Sequence, residues 1–249
     1  MYAPVNGASK GILMLPRLLS VFTLSLSLVF ASSLTAIAQI KDAVSTTEEI
    51  DILAIAGIVL DADPEVLLDG LEEPPADREL PEGFLNPPSG VPANAEVVDA
   101  FAIPVDELDG ALGSFSHAFD TDGAVIEGLL SAGVINYIVV EAEITERELD
   151  EFEDGASGGL DTGDAGLTGT VDRVDVSGQD AVLITVELED AGIFGAVQVI
   201  ALPVGNTLVI GTVVVADVGA VDADGVYDLA EALTLAGVTH LEAVAEAAS

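Results

Sequence analysis

Cysteine is absent from this chain of 249 residues, and so is tryptophan. Without cysteine there can be no disulfide, thiolate metal ligand, thiol nucleophile or lipid-modified N-terminal cysteine. Basic side chains are almost as scarce: six Lys and Arg stand against 44 Asp and Glu, a formal net charge of −38. So negative a molecule repels nucleic acid and anionic lipid surfaces. No Walker loop occurs, and no GxGxxG follows a strand to open a helix, which argues against nucleotide binding. With 3 Tyr and 8 Phe the core must come from Val, Leu, Ile and Ala, and stacking platforms for sugars are few.

The charge is unevenly placed. No acid precedes Asp42, whereas Lys10 and Arg17 stand before an apolar run from Leu18 to Phe30 and a small-residue site, Ala36-Ile37-Ala38. That order is the layout of a secretory signal peptide. Residues 1–38 are therefore expected to be cleaved after about Ala38, leaving the protein secreted or in the cell envelope. Met1 and Met14 are the only methionines, and a start at Met14 gives a leader of more conventional length. The competing reading is a retained anchor, since Leu18 to Ala38 just meets the roughly 20 residues a bilayer demands. Ser20, Thr23, Ser25, Ser27, Ser32, Ser33 and Thr35 interrupt that run and favour cleavage. No later stretch reads as a membrane helix. Mature protein beginning at Gln39 would set 44 acids against Lys41, Arg78, Arg147 and Arg173, a net charge of −40.

Three regions follow the leader. Residues 39–71 read as mostly helical, with Asp63 as N-cap, Pro64 at the first helical position and Val66, Leu67 and Leu71 facing a core. Residues 72–94 hold Pro74, Pro75, Pro81, Pro87, Pro88 and Pro92, which remove backbone donors and predict an extended loop or linker. Residues 95–249 read as an α+β domain. Period-two alternation predicts strands over Ala111–Phe119, with a turn at Asp120-Thr121-Asp122-Gly123, and over Val134–Ile144, where Asn136 interrupts an apolar row. Thr145 and Glu148 have capping-box spacing for a helix docked by Leu149 and Phe152 and stopped at Gly155. After a Gly- and Asp-rich loop come four strands, Gly169–Val176, Ala181–Glu189, Ile193–Leu202 and Thr207–Ala216. Their connections are too short for parallel crossovers, so neighbours must be antiparallel. Val226, Leu229, Ala230 and Leu233 mark a helix ended by Gly237, with a last short helix from Thr239. The expected fold is an antiparallel sheet of about five to six strands with helices packed on one face.

Gln179-Asp180-Ala181-Val182 entering a strand, Ala201-Leu202-Pro203-Val204-Gly205-Asn206 at a hairpin and Ala230-Glu231-Ala232-Leu233 in the last helix carry a fold-level resemblance over roughly Leu80 to Ala247. In this order of elements the chain resembles the Mog1/PsbP-like extracytoplasmic proteins and lipoproteins. The resemblance implies a binding or assembly role rather than catalysis, and the lipid-bearing cysteine of the lipoproteins is missing here.

Carboxylate constellations are the remaining candidates. Asp222, Asp224, Gly225, Asp228 and Glu231 fall on positions three, five, six, nine and twelve of an EF-hand loop, but Ala220 occupies position one and a strand precedes the loop. Capping of the last helix explains the same residues. Asp120, Asp122 and Glu127, and Asp161 with Asp164, read as turn residues, with weak Ca²⁺ or Mg²⁺ binding as the alternative. His117 and His240 lack a nucleophile elbow or a metal partner at i+4, and Ser114 and Ser116 merely alternate with His117 along a strand. No catalytic, cofactor or metal site is assigned. The expected protein is a secreted, acidic, non-enzymatic binding or accessory protein whose partner is an unidentified protein or small ligand. A cation-binding or salt-adapted surface protein and a carboxylate-based hydrolase are the alternatives.

Forty like charges on one globule repel unless counterions screen them within about 10 Å at 0.1 M salt. The melting temperature should therefore rise from low to molar sodium chloride, and a flat response would remove salt adaptation as the reason for the acidity.

Overall fold

Turn chemistry decides how the strands meet. In the computed structural model the residues described are 50–88, 90, 111–123, 125–126, 128, 130–160, 167–190, 193–218 and 221–249; the leader, Glu127, Asp161, Asp164 and the turn at Ala191-Gly192 lie outside them. Ser177 and Gly178 both take positive φ, 51° and 83°, between β4 (Leu167–Val176) and β5 (Gln179–Asp190). Two positive values in a two-residue loop define a type I′ turn, whose twist suits paired strands. Between β6 (Ile193–Val204) and β7 (Thr207–Asp217) only Gly205 is positive, at 63°, the type II′ pattern. β4 to β7 thus form the antiparallel meander.

β7 then pairs antiparallel with β3 (Leu130–Val140), β3 with β2 (Ala111–Thr121), and β2 with a two-residue strand, β1 (Phe84–Leu85). The sheet has seven strands in the order β1-β2-β3-β7-β6-β5-β4, where five to six were expected. β1 is the strand missed. It sits within the proline-bearing stretch, at an edge where missing backbone donors interrupt no ladder. Its Phe84 is buried and crosses to β3, where a Cβ on Gly133 would lie 2.5 Å from the ring.

Helices lie on both faces of the sheet, not one. On the first face α4 (Ala223–Ala247) crosses β7, β6 and β3, with α1 (Ile52–Asp61) and α2 (Pro64–Leu71) beside it. Ile52, Ile55, Val59, Leu67 and Leu71 share one core with Ile135, Ile200, Val209 and Val213 of the sheet and Val226 and Leu233 of α4. On the other face α3 (Glu146–Leu160) lies on β4 and β5, and its Leu149, Phe152 and Ala156 pack with Val182, Ile184 and Val197. Every residue of β7, and every residue of β6 from Gly195 on, is buried. Arg173 of β4 fastens α3 electrostatically, donating from Nε to Glu153 at 2.6 Å and from Nη2 to Asp150.

The helix caps match their sequence signals. Asp63 Oδ1 accepts from the backbone N–H of Glu65 at 2.9 Å, and Glu148 Oε2 accepts from Thr145 N–H at 2.8 Å. The stops do not. α3 continues through Gly155 to Leu160, held by the buried Ala156. α4 continues through Gly237 to Ala247, so the helix expected to start at Thr239 is its last turns, with Thr239 Oγ1 donating to Leu235 O inside the helix. Val66, expected in the core, is exposed, whereas Leu67 and Leu71 are buried.

Gly237 is there for proximity rather than termination. A Cβ on it would stand 2.9 Å from Val209 and 3.0 Å from Ile135. Opposite, a Cβ on Gly211 of β7 would stand 2.9 Å from Thr234 N and 3.0 Å from Ala230 O. Those neighbours are helix backbone and cannot rotate away. Gly211→Ala should therefore cost about 1–3 kcal/mol by overpacking, whereas Gly57→Ala on α1, where a Cβ meets nothing within 4 Å, should gain about 0.5–1 kcal/mol from helix propensity. Urea unfolding of the two variants checks the opposite signs.

Candidate functional site

Strand alternation separates the residues that might have formed a catalytic group. Ser116 points to one face of β2, where its hydroxyl donates to Asn136 Oδ1. His117 points to the other, where its Nε2 lies 2.8 Å from Leu71 O. No Ser–His pair results. The EF-hand alignment fails for a similar reason: Asp222 is the N-cap of α4, Asp224 lies in its first turn, and Asp228 and Glu231 follow along the helix instead of wrapping a loop. Among the described residues no three His, Asp or Glu side chains are grouped to hold a metal ion. Asp120 is the next-to-last residue of β2 and Asp122 opens the turn after it, its carbonyl accepting from the N–H groups of Val125 and Ile126. Glu231 does respond to its setting: partial burial raises its pKa, and the charges of Asp228 and Asp175 add to the effect.

What the fold does bring together is both histidines of the chain. His117 of β2 and His240 of α4 flank Tyr137 of β3, with ring centroids 6.0 and 6.1 Å from the phenol ring. Tyr137 is fully buried and its hydroxyl donates to Gly237 O at 3.2 Å. Burial, then the negative charge of Glu79, keep that phenol protonated. His240 Nε2 lies 3.0 Å from Glu73 O, while its Nδ1 faces Glu79 Oε2 at 3.6 Å. Carbonyl oxygens only accept, so both imidazoles carry their proton on Nε2. Leu71 is the last residue of α2, and its carbonyl is one of those a helix end leaves unpaired. His117 therefore clasps the end of α2 to the sheet, and His240 clasps the start of the proline-bearing segment to α4.

Each histidine was visible in sequence as a polar residue in an apolar row: Phe115, His117 and Phe119 alternate on β2, and Leu233, Gly237 and His240 share one side of a helix. Their convergence depends on how α4 crosses the sheet, which no local spacing encodes.

A second feature lies at the surface. α1 has no charged residue from Ile52 to Leu60, yet only Ile52, Ile55 and Val59 are fully buried, with Ala56 and Ile58 packed partly against the same core. Leu53 remains 71% exposed and Leu60 42%. Beside them runs an open groove of about 720 Å³ lined by Ala54, Gly57, Ile58 and Asp61 of α1 and by Glu246 and Ser249 at the C-terminal end of α4. The chain leaving α1 is fixed there by Asp63 N–H donating to Ala248 O at 3.1 Å, and α1 abuts the β6–β7 hairpin, where a Cβ on Gly205 would lie 2.8 Å from Ala56 O and 3.1 Å from Leu60 Cγ. An apolar helix normally hides its whole circumference; here half of it faces out.

Compared with known proteins, the chain matches no family model and no curated protein.

The clasp makes a pH prediction. Burial, with a smaller contribution from the nearby His240, lowers the pKa of His117 below 6.5 despite its bond to Leu71. A base with a lowered pKa stabilises the fold fully above the unfolded value, and that stability is lost as pH falls below about 6.5. Wild type should lose stability from pH 7.5 to 5.5 relative to His117→Gln, which keeps a donor for Leu71 O but cannot titrate. Parallel denaturation curves for the two proteins across that window would refute the assignment.

Proposed function

We propose that the protein is an exported, acidic, non-enzymatic binding or accessory protein of the cell envelope or medium, its leader removed after about Ala38, and that the outer face of α1 with its groove is the surface it offers. The carrying observation is the pair Leu53 and Leu60, exposed on a helix uncharged from Ile52 to Leu60, beside a groove of about 720 Å³. Concave, partly apolar surfaces with a few polar groups at the margin are the usual form of ligand and partner sites, and exposed apolar patches mark association surfaces. The resemblance to Mog1/PsbP-like proteins supports the same role, since its members serve as binding or assembly factors.

The test uses the mature protein and its Leu53→Asp, Leu60→Asp variant as paired baits in the native medium, with mass spectrometry of what each retains. Neither leucine supports the core, so both baits should fold alike by circular dichroism. A partner held by wild type and lost by the variant is the expected result. Equal recovery by both baits, or none by either, would remove this surface from the function.

A further inference from the structure

We infer that the groove beside α1 docks a basic amphipathic helix of a partner protein. This inference rests on the reading of that surface as a binding face and adds the chemistry of what binds. Leu53, Gly57 and Leu60 are spaced i, i+4 and i+7, so they form one stripe along the outside of α1, continuous with Ala54 and Ile58 of the groove floor. A stripe two turns long matches the i, i+3, i+4, i+7 anchors by which one amphipathic helix lies against another.

Gly57 sharpens the fit. It sits in mid-helix, where alanine would be favoured by about 1 kcal/mol, and a Cβ there would touch nothing within 4 Å. Packing inside the molecule does not demand a glycine at this point. Its effect is to keep the floor low, where an incoming side chain can sit.

Charge then chooses the partner. α1, α2 and α4 contain no Lys or Arg. Asp61 and Glu246 line the groove, and Asp51 and Asp63 stand at the N-caps of α1 and α2. A neutral apolar helix would cover the leucines but strip water from Asp61 and Glu246 without replacing it. Lys or Arg flanking the apolar stripe of the partner does both, and the net charge of −38 draws such a segment in. The same field opposes an anionic membrane, and a two-fold contact between copies would set Asp61 and Glu246 against their own kind.

The experiment is fluorescence anisotropy of a labelled synthetic helix of Leu and Lys at amphipathic spacing, titrated with the mature protein at low and at molar salt. Saturable binding is expected, weakened about five- to tenfold by Asp61→Asn with Glu246→Gln or by molar salt. Gly57→Leu should abolish it by filling the floor, with a melting temperature no lower than wild type. Equal binding of a Leu and Gln helix would overturn the charge selectivity, and Leu–Lys binding undiminished by Gly57→Leu would overturn the site. Binding to phosphatidylglycerol vesicles in place of the peptide, or a sedimenting dimer abolished by Leu60→Asp, would replace the proposed occupant and overturn the inference. If no peptide binds while a natural partner is still captured through Leu53 and Leu60, the binding face stands and the basic helix falls.

Discussion

Burial of β3, β7 and β6 on both faces is the constraint to which the rest of the structure answers. With no wet side, these strands admit polar atoms only where a partner is built in. Asn136 receives the Ser116 hydroxyl, and Gln198 accepts from Thr185 Oγ1 at 2.7 Å and donates to Ala223 O at 3.3 Å; on α4, packed against them, Thr234 Oγ1 donates to Ala230 O at 2.7 Å. Among the described residues the exception is Thr212 of β7, whose buried hydroxyl has no partner; an unmade bond of this kind costs about 1–3 kcal/mol. Double-sided burial also explains the close seating of α4. A helix can lie flush on a sheet only where side chains give way, and Gly211 and Gly237 provide that notch from opposite sides.

The acidity is compatible with this core because it is kept out of it. Most of the carboxylates described lie in caps, turns, helix exteriors and the strands toward the margins, with the few cations among them; Asp217, at the end of β7, is buried and its Oδ1 accepts from the Val218 N–H at 2.6 Å. Arg78 faces Glu79, Arg147 faces Glu151 one helical turn on, and Arg173 meets two acids of α3. Exposed pairs such as the first two contribute at most about 1 kcal/mol. Arg173 differs in kind, because it ties a helix to the sheet and places one positive charge between two carboxylates of α3 that repel each other.

Local chemistry was legible in the sequence, and global placement was not. Asp63 with Pro64, Thr145 with Glu148, and the hairpins at Ser177-Gly178 and Gly205-Asn206 all act within four residues, and all appear where their spacing put them. The meander followed, because short loops leave antiparallel pairing as the only choice. Both misplaced helix ends came from reading glycine as a stop; at Gly237 its smallness serves close packing instead, against Val209 and Ile135, residues far away in the chain. The second helical face had a sequence signal: runs such as Val213-Val214-Val215 do not alternate, and unbroken apolar runs mark strands covered on both sides. The α1 surface also left a trace, since nine uncharged residues in a row, Ile52 to Leu60, are out of place in a chain of such acidity unless something apolar meets them. The histidine clasp left none beyond two polar residues in apolar rows.

The sheet ends differently at its two margins. β1 is a two-residue stub, too short to template a neighbouring chain, while β4 exposes Asp172 and Asp175 along its free side. Open strand margins are where proteins zip into fibrils, and brevity and charge are the two remedies against it. Among the described residues each margin carries one of them, brevity at β1 and charge at β4, so neither presents a long uncharged row of backbone donors and acceptors to another strand.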